Sequence, residues 1–401
     1  MKYAIVLPDG AADHPLDALD GKTPLDAAKT PNLDRLAHNG RLGTAATTPK
    51  GMPCGSDVCS MSLLGYDPLQ YHTGRAPLEA AALGIDLGPD DWVFRVNLVT
   101  ALDGKMQDHS AGAISSAEGQ RILKDFSPRM PLDQAELVPG VSYRNLLIDR
   151  SGRDYSELAT HPPHDIPGDA IRKRLPIGGD HAPLLQQLIA ESEILLADHE
   201  INTTRREMGE PPATHLWPWG QGRKPNMPSF ESRFGVRGAM ITAVDLLAGI
   251  AHLIGWDRLD VPGQTSYHDT DYAAAGHAGA AALDDYDLVC VHIEAPDEAA
   301  HAGDAQTKVD AIEAIDAMVL PSLIQRLQAE PDGYRILVMP DHYTRVDTRK
   351  HFPTPPPFLI AGHKMSSTIP RRFTEADAAT ADLRVAFGHE LMEFFLKSGM
   401  K

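Results

Sequence analysis

The chain reads as an α/β protein: a mostly parallel sheet with helices on both faces, plus a small inserted α+β domain. Three observations predict this. Short all-apolar runs at residues 3–7, 286–293 and 335–339 have the composition of strands buried on both faces. Helical patterns alternate with these runs, as parallel crossovers require. Between about 93 and 177 the strands become short and follow a βαββ order, which marks an insertion.

The elements follow in order. Residues 3–7 form a first strand, stopped by Pro8 just before Asp9-Gly10. Residues 31–39 form a helix closed by Gly40. Residues 47–55 are rich in Pro and Gly and form a loop. A short helix follows Ser56-Asp57 and is closed by Gly65. Residues 93–100 read as a strand, 116–126 as a helix, and 141–150 and 158–160 as strands. Pro162-Pro163 and Gly178-Gly179 close the insertion, so residues 1–99 and 178–401 form a discontinuous α/β domain around an inserted domain of 100–177. Residues 181–196 are helical and 214–219 strand-like. Apolar patterns predict helices over 240–254, 271–283 and 308–327. Strands at 286–293, 335–339 and 358–361 complete the sheet, and a helix over 389–397 ends the pattern.

Composition limits the partners. The 401 residues carry a formal net charge of −18, which argues against nucleic acid or an anionic membrane. An anionic small substrate would need a local basic pocket. Cys54, Cys59 and Cys290 form no CxxC pair, so a disulfide framework is not expected and a reducing cytoplasm is. Neither a secretory leader nor an apolar run long enough to span a membrane is expected.

Three strands each deliver an Asp shortly after their end: Asp9, Asp297 and Asp341. Ligands in open α/β sheets bind beyond the carboxyl ends of the strands. His342 adjoins Asp341, His351 follows in a loop, and Asp297 and His301 are four apart, on one face of a helix. This mixed Asp/His set suits zinc or manganese better than calcium. The ordinary alternative is turn-forming aspartates and surface histidines. Ser56 lies at or next to a helix start. It is either an N-cap or a nucleophile whose phosphorylated form the helix N-terminus would hold. Cys54 and Cys59 flank it without an adjacent His and read as packing residues. The cluster Gly220-Gln221-Gly222 lacks P-loop spacing.

With these residues in place, the chain resembles the alkaline phosphatase superfamily, and within it the archaeal-type cofactor-independent phosphoglycerate mutases. The resemblance is carried by GSDVCSMSLLGYDP (55–68), HTGRAPLEAA (72–81), HIEAPDEAAHAGD (292–304), MPDH (339–342) and shorter stretches along nearly the whole chain. It implies an alkaline-phosphatase-like fold and two divalent ions, Mn²⁺ first, with Zn²⁺, Co²⁺ or Mg²⁺ as alternatives. Asp297, His301 and His351 would hold one ion; Asp9, Ser56, Asp341 and His342 would hold the other. Ser56 would accept the phosphoryl group of a small phosphorylated carboxylate, with no 2,3-bisphosphoglycerate required. The inserted domain would act as a lid that excludes water. Arg75, Arg95, Arg144 and Lys224 are the candidates for binding phosphate and carboxylate.

Near His351 the chain departs from the family pattern. Arg345 stands where a Pro is usual, Phe352 follows His351, and Thr354 replaces a common Asp, which puts the orientation of His351 in question. WPWGQG, GVSYR and PPHDI resemble a bacterial subgroup proposed to be homoserine kinases. A metal-dependent phosphomonoesterase is a further alternative on the same site.

Overall fold

The computed structural model describes residues 1–367 and 369–398. It forms two compact units, Met1–His72 with Asn226–Lys401, and Thr73–Pro225.

The first unit is built on an eight-stranded sheet. In spatial order its strands are Leu383–Val385, Arg41–Ala45, Pro357–Gly362, Tyr334–Val338, Lys2–Pro8, Leu288–Ile293, Gly238–Ile241 and Asp257–Arg258. Only Pro357–Gly362 runs antiparallel to its neighbours. Lys2–Pro8 is central. Alternation sends Ala4 and Val6 to one face, into a cluster with Val291, Val338, Leu33, Ile312 and Leu323. Tyr3 packs instead on Phe395, with ring centroids 5.6 Å apart. Helices therefore cover both faces, and each fully buried Val or Leu contributes about 1.5–3 kcal/mol. Val6 lies opposite both Val291 and Val338. Lys2–Pro8 and Leu288–Ile293 end together, Tyr334–Val338 ends two residues short of them, and the residues after all three emerge at one end of the sheet.

The second unit holds a five-stranded antiparallel sheet. Its long strand Trp92–Leu102 pairs with Lys105–Asp108, Arg144–Asp149 and His215–Arg223. Helices Ser116–Phe126 and Ala182–Ala197 pack Ile122, Phe126, Leu185 and Leu188 against Phe94, Val96 and Leu98. Ser115 and Glu118 form a reciprocal capping box at the start of the first helix.

Several sequence expectations change. The expected insertion of 100–177 is too narrow, because hydrogen bonding between Trp92–Leu102 and His215–Arg223 keeps both strands in one unit. Residues 240–254 are not one helix. Gly238–Ile241 is a strand and Asp245–Leu253 a helix, a distinction that an unbroken apolar run does not carry. Residues 158–160 make only the bridge between Ala159 and Ile177. The 308–327 helix is interrupted by a π-helical turn, Ile315–Val319. This turn carries the buried Asp316, whose carboxylate accepts from the N–H groups of Asn32 (3.2 Å) and Leu33 (2.7 Å). A carboxylate from another helix thereby caps Pro31–Asn39, whose own N-cap Thr30 makes no side-chain bond.

Candidate metal and phosphoryl-transfer site

The first unit gathers Asp9, Ser56, Asp297, His301, Asp341, His342 and His351 beyond the carboxyl ends of its central strands. Asp9 directly follows Lys2–Pro8. Gly10 then turns with φ +56°, and a Cβ there would lie 2.3 Å from Asp297 Oδ1, so only glycine permits this approach. Helix Ala295–Ala302 presents Asp297 and His301 on one face, with His301 Nε2 3.1 Å from Asp297 Oδ2. His351 sits on the short hairpin Tyr343–Arg345 with Lys350–Phe352, opposite Thr344. Its Nε2 lies 3.6 Å from Asp297 Oδ1 and 2.9 Å from His301 Nε2. The His342 and His351 rings stack with centroids 4.1 Å apart, which joins the two halves of the site.

The hydrogen bonds assign the tautomers. His301 Nδ1 faces the Arg349 carbonyl at 3.0 Å, and His351 Nδ1 faces the Cys54 carbonyl at 3.2 Å. Carbonyls only accept, so both Nδ1 atoms carry hydrogen. The Thr344 hydroxyl donates to Asp297 Oδ1, so its oxygen accepts from His342 Nδ1 at 3.1 Å. All three rings therefore turn Nε2 toward the aspartates, as a lone pair when the ring is neutral and as an N–H when it is charged. A set of lone pairs and carboxylate oxygens facing one another fits a cation, with Nδ1 held as metal-ligating histidines hold it. Asp297, His301 and His351 place ligand atoms within 4.8 Å of one another, and so do Asp9, Asp297 and His342.

The charges agree. Burial lowers the His342 pKa. Burial also opposes charge on His351, but Asp297 and Asp341 outweigh it and lift its pKa to about 9. Burial pushes the Asp9 carboxyl well above its usual range, reinforced by Asp341, Glu294 and Asp297. Asp297 goes the other way: its hydrogen bonds with His301 and His351 overcome burial and hold it well below that range. Strongly shifted groups converging at one strand edge mark a functional site.

Gly55 is the N-cap of helix Ser56–Leu63, so Ser56 is the first helical residue and not the cap. Ser56 Oγ instead lies 3.2 Å from His342 Nε2. Asp341 accepts from the Gly10 N–H (3.3 Å), the Ser60 hydroxyl (3.3 Å) and its neighbour's N–H (2.9 Å). The departures near His351 do not disorient it. Arg345 pairs with Asp347 and stacks on Phe352 at 4.9 Å, while the Cys54 carbonyl sets the ring.

Sequence reading missed His292 and Glu294. His292 Nε2 lies 2.9 Å from Asp9 Oδ2 and 3.2 Å from Glu294 Oε2. His292 Nε2 faces two carboxylates, which accept when ionised, so the imidazole proton sits on Nε2 toward Asp9, and Nδ1 accepts from the Thr242 hydroxyl at 2.9 Å. The available signal was a histidine inside an otherwise apolar strand, one residue from its end.

Arg75, Arg95 and Arg144 lie in the second unit and are close enough for Arg75 and Arg144 to act electrostatically on Arg95, whose pKa burial lowers. Arg95 pairs with Glu79 at 3.0 Å and lies 4.2 Å over the Trp219 ring. His109, His164 and Tyr143 adjoin them. Lys224 pairs with the exposed Asp86 at 2.9 Å.

Known proteins share both sequence and fold with this chain. The profile described as 2,3-bisphosphoglycerate-independent phosphoglycerate mutase matches residues 37–202. The protein of that name numbered 2 in Methanothermobacter thermautotrophicus is 45% identical over 99% of this chain and 97% of its own length. The one from Methanothrix thermoacetophila is 44% identical over 99% and 100%. Among solved structures, a Pyrococcus horikoshii protein superposes with a TM-score of 0.82 at 29% identity, covering 99% of this chain and 96% of its own. The cofactor-independent phosphoglycerate mutase of Thermoplasma acidophilum gives 0.66 at 26% identity, covering 99% of both. With relatives this similar along almost its whole length, the chain belongs to the 2,3-bisphosphoglycerate-independent phosphoglycerate mutase family.

Proposed function

We propose that this protein interconverts 3-phosphoglycerate and 2-phosphoglycerate without 2,3-bisphosphoglycerate, through a phosphoryl group carried on Ser56. The observation that carries this reading is the Ser56 hydroxyl, freed from capping and 3.2 Å from His342 in the same Asp/His cluster. Asp297, His301 and His351 would hold one divalent ion; Asp9, Ser56, Asp341 and His342 would hold a second. Mn²⁺ is the ion we assign, and Zn²⁺, Co²⁺ or Mg²⁺ would suit the same donors. When bound, such ions lower the pKa of a coordinated hydroxyl and offset charge on phosphoryl oxygens.

Ser56 Oγ attacks the phosphorus of 3-phosphoglycerate and the O3–P bond breaks, leaving phosphoserine and glycerate. The helix N-terminus at Ser56 favours the negative charge gained there. The glycerate reorients, its 2-hydroxyl attacks the same phosphorus, and Ser56 is restored. A phosphatase would admit water at the second step; a mutase keeps glycerate instead. We assign the second unit to that retention, with Arg75, Arg95 and Arg144 binding phosphate and carboxylate. Lys224, already paired with Asp86, is left out. No helix among the described residues is long and apolar enough to cross a membrane, and we assign the enzyme to the cytoplasm, where its three free thiols would stay reduced.

The test supplies Mn²⁺-loaded protein with 3-phosphoglycerate alone and reports 2-phosphoglycerate through enolase. Turnover is expected, with Ser56→Ala silent while the Asp297 group still binds metal. Full activity in that variant would overturn the role of Ser56. Phosphohomoserine made from ATP and homoserine, with no mutase turnover, would overturn the substrate assignment.

A further inference from the structure

Cys54 and Cys59 play no part in the proposed chemistry, yet they bracket Ser56. Their sulfurs are 4.0 Å apart, and Thr48 Oγ1 contacts Cys59 Sγ at 3.2 Å. Cys59 is buried and Cys54 partly exposed, so one thiol of the pair is open to a dissolved oxidant and the other waits behind it. We infer that Cys54 and Cys59 form a reversible modification site, closing into a disulfide across the Ser56 turn when a peroxide reaches Cys54.

The chemistry balances. The Cys54 thiolate attacks one peroxide oxygen, the O–O bond breaks, and the products are a sulfenic acid and, after protonation, water. Cys59 sulfur then attacks the Cys54 sulfur, displacing the hydroxyl, which leaves as a second water with the Cys59 proton. The two sulfurs lose two electrons in all, and peroxide is the acceptor. A thiol reductant reverses the bond by exchange.

The geometry also says which segment moves. A disulfide needs its sulfurs about 2.05 Å apart, so the pair must close by roughly 2 Å. Cys59 is held in the helix, its N–H bonded to the Gly55 carbonyl at 2.8 Å. Cys54 lies in the loop before it, near Gly51, where φ is +90° and no atom lies within 4 Å of an added Cβ. The loop is therefore the part that yields. The Cys54 carbonyl is what orients His351. Moving Cys54 toward Cys59 withdraws that acceptor and turns a ligand candidate of the Asp297 group away from its partners. Oxidation would thus weaken metal binding at Asp297, His301 and His351 and stop turnover, without touching Ser56 chemically.

The experiment treats metal-loaded full-length protein with hydrogen peroxide and follows intact mass, metal content and rate together. The expected result is a loss of about 2 Da (two hydrogens), mapped by peptide digestion to a Cys54–Cys59 link. Release of metal and a parallel fall in rate should accompany it, all reversed by a dithiol. Cys59→Ala should lose the 2 Da change and instead accumulate oxygen on Cys54. Oxygen added to Cys54 in the parent chain without a link to Cys59 would overturn the proposal, as would a link that leaves metal content unchanged. Mass and metal content are read without any assumed substrate, so this result stands apart from that of the mutase assay.

Discussion

Replacing His292 measures how far the residue behind Asp9 controls metal affinity. Asp9 is fully buried, and its surroundings favour the protonated carboxyl, whereas a metal ligand must be ionised. The His292 N–H at 2.9 Å stabilises the ionised form, and Thr242 holds the imidazole tautomer that supplies it. A hydrogen bond to a charged group is worth about 1.5–3 kcal/mol, which corresponds to roughly 10–100-fold in affinity. His292→Asn places its amide nitrogen near the position of Nδ1 and falls short of Asp9. His292→Gln reaches the position of Nε2 and can still donate. Titration of Mn²⁺ into stripped protein should therefore show the Asp9 site weakened by about 10–100-fold in the Asn variant and much less in the Gln variant. The Asp297 site serves as the internal reference. The loss should be larger at pH 6 than at pH 8, because protonation competes with metal for Asp9. Asn and Gln variants of equal affinity, or an Asn variant within about twofold of the parent, would refute the reasoning, since a full charge-assisted bond is worth more than that.

Three further outcomes are expected. Lys308 is fully buried and donates to Thr344 O (2.6 Å), Ala12 O (3.3 Å) and Asp13 Oδ2 (3.1 Å). Lys308→Met strands the Asp13 carboxylate and should cost about 3–5 kcal/mol in urea unfolding; a loss below about 1 kcal/mol would contradict that role. Burial lifts the Glu375 pKa from 4.5 to about 7. A raised folded-state pKa gives stability that is complete below the unfolded value and lost as pH rises through the folded one. The parent should therefore lose up to about 3 kcal/mol relative to Glu375→Gln between pH 4.5 and pH 8, and parallel pH profiles would count against the shift. Arg144→Ala should raise KM for 3-phosphoglycerate by about 10-fold, more than it lowers kcat; an unchanged KM would remove Arg144 from substrate binding.

The chain made some of this legible and concealed the rest for physical reasons. The central strands announced themselves because burial on both faces demands unbroken apolar runs, and the Asp following each run placed the site at one sheet edge. Residues 240–254 misled because a buried strand and a buried helix in succession share that unbroken pattern. The edge strand Leu383–Val385 and its neighbour Arg41–Ala45 are too short and mixed to declare themselves. The expected ligands do converge around Asp297 and His342. The role of His292 stayed hidden because it depends on Thr242, fifty residues earlier, and on Asp9 at the start of the chain. Arg95 and Arg144 came together through strand register, which no spacing records: Arg144 is paired with Asn97, two residues from Arg95, while Arg75 joins them from the start of helix Arg75–Ala82.

Every candidate metal ligand, and every strand of the eight-stranded sheet, lies outside Thr73–Pro225. The chain enters that unit after His72 and leaves it before Asn226. His72 is itself fastened to Asp57, the residue after Ser56, at 2.8 Å. On the proposed function, natural variation can remodel the arginine-bearing unit, and with it the choice of acceptor, while Ser56 and the Asp/His set are inherited intact. Relatives that share the Asp/His set but differ between 73 and 225 should divide by substrate along that segment, which makes it the place to read specificity when such chains are compared.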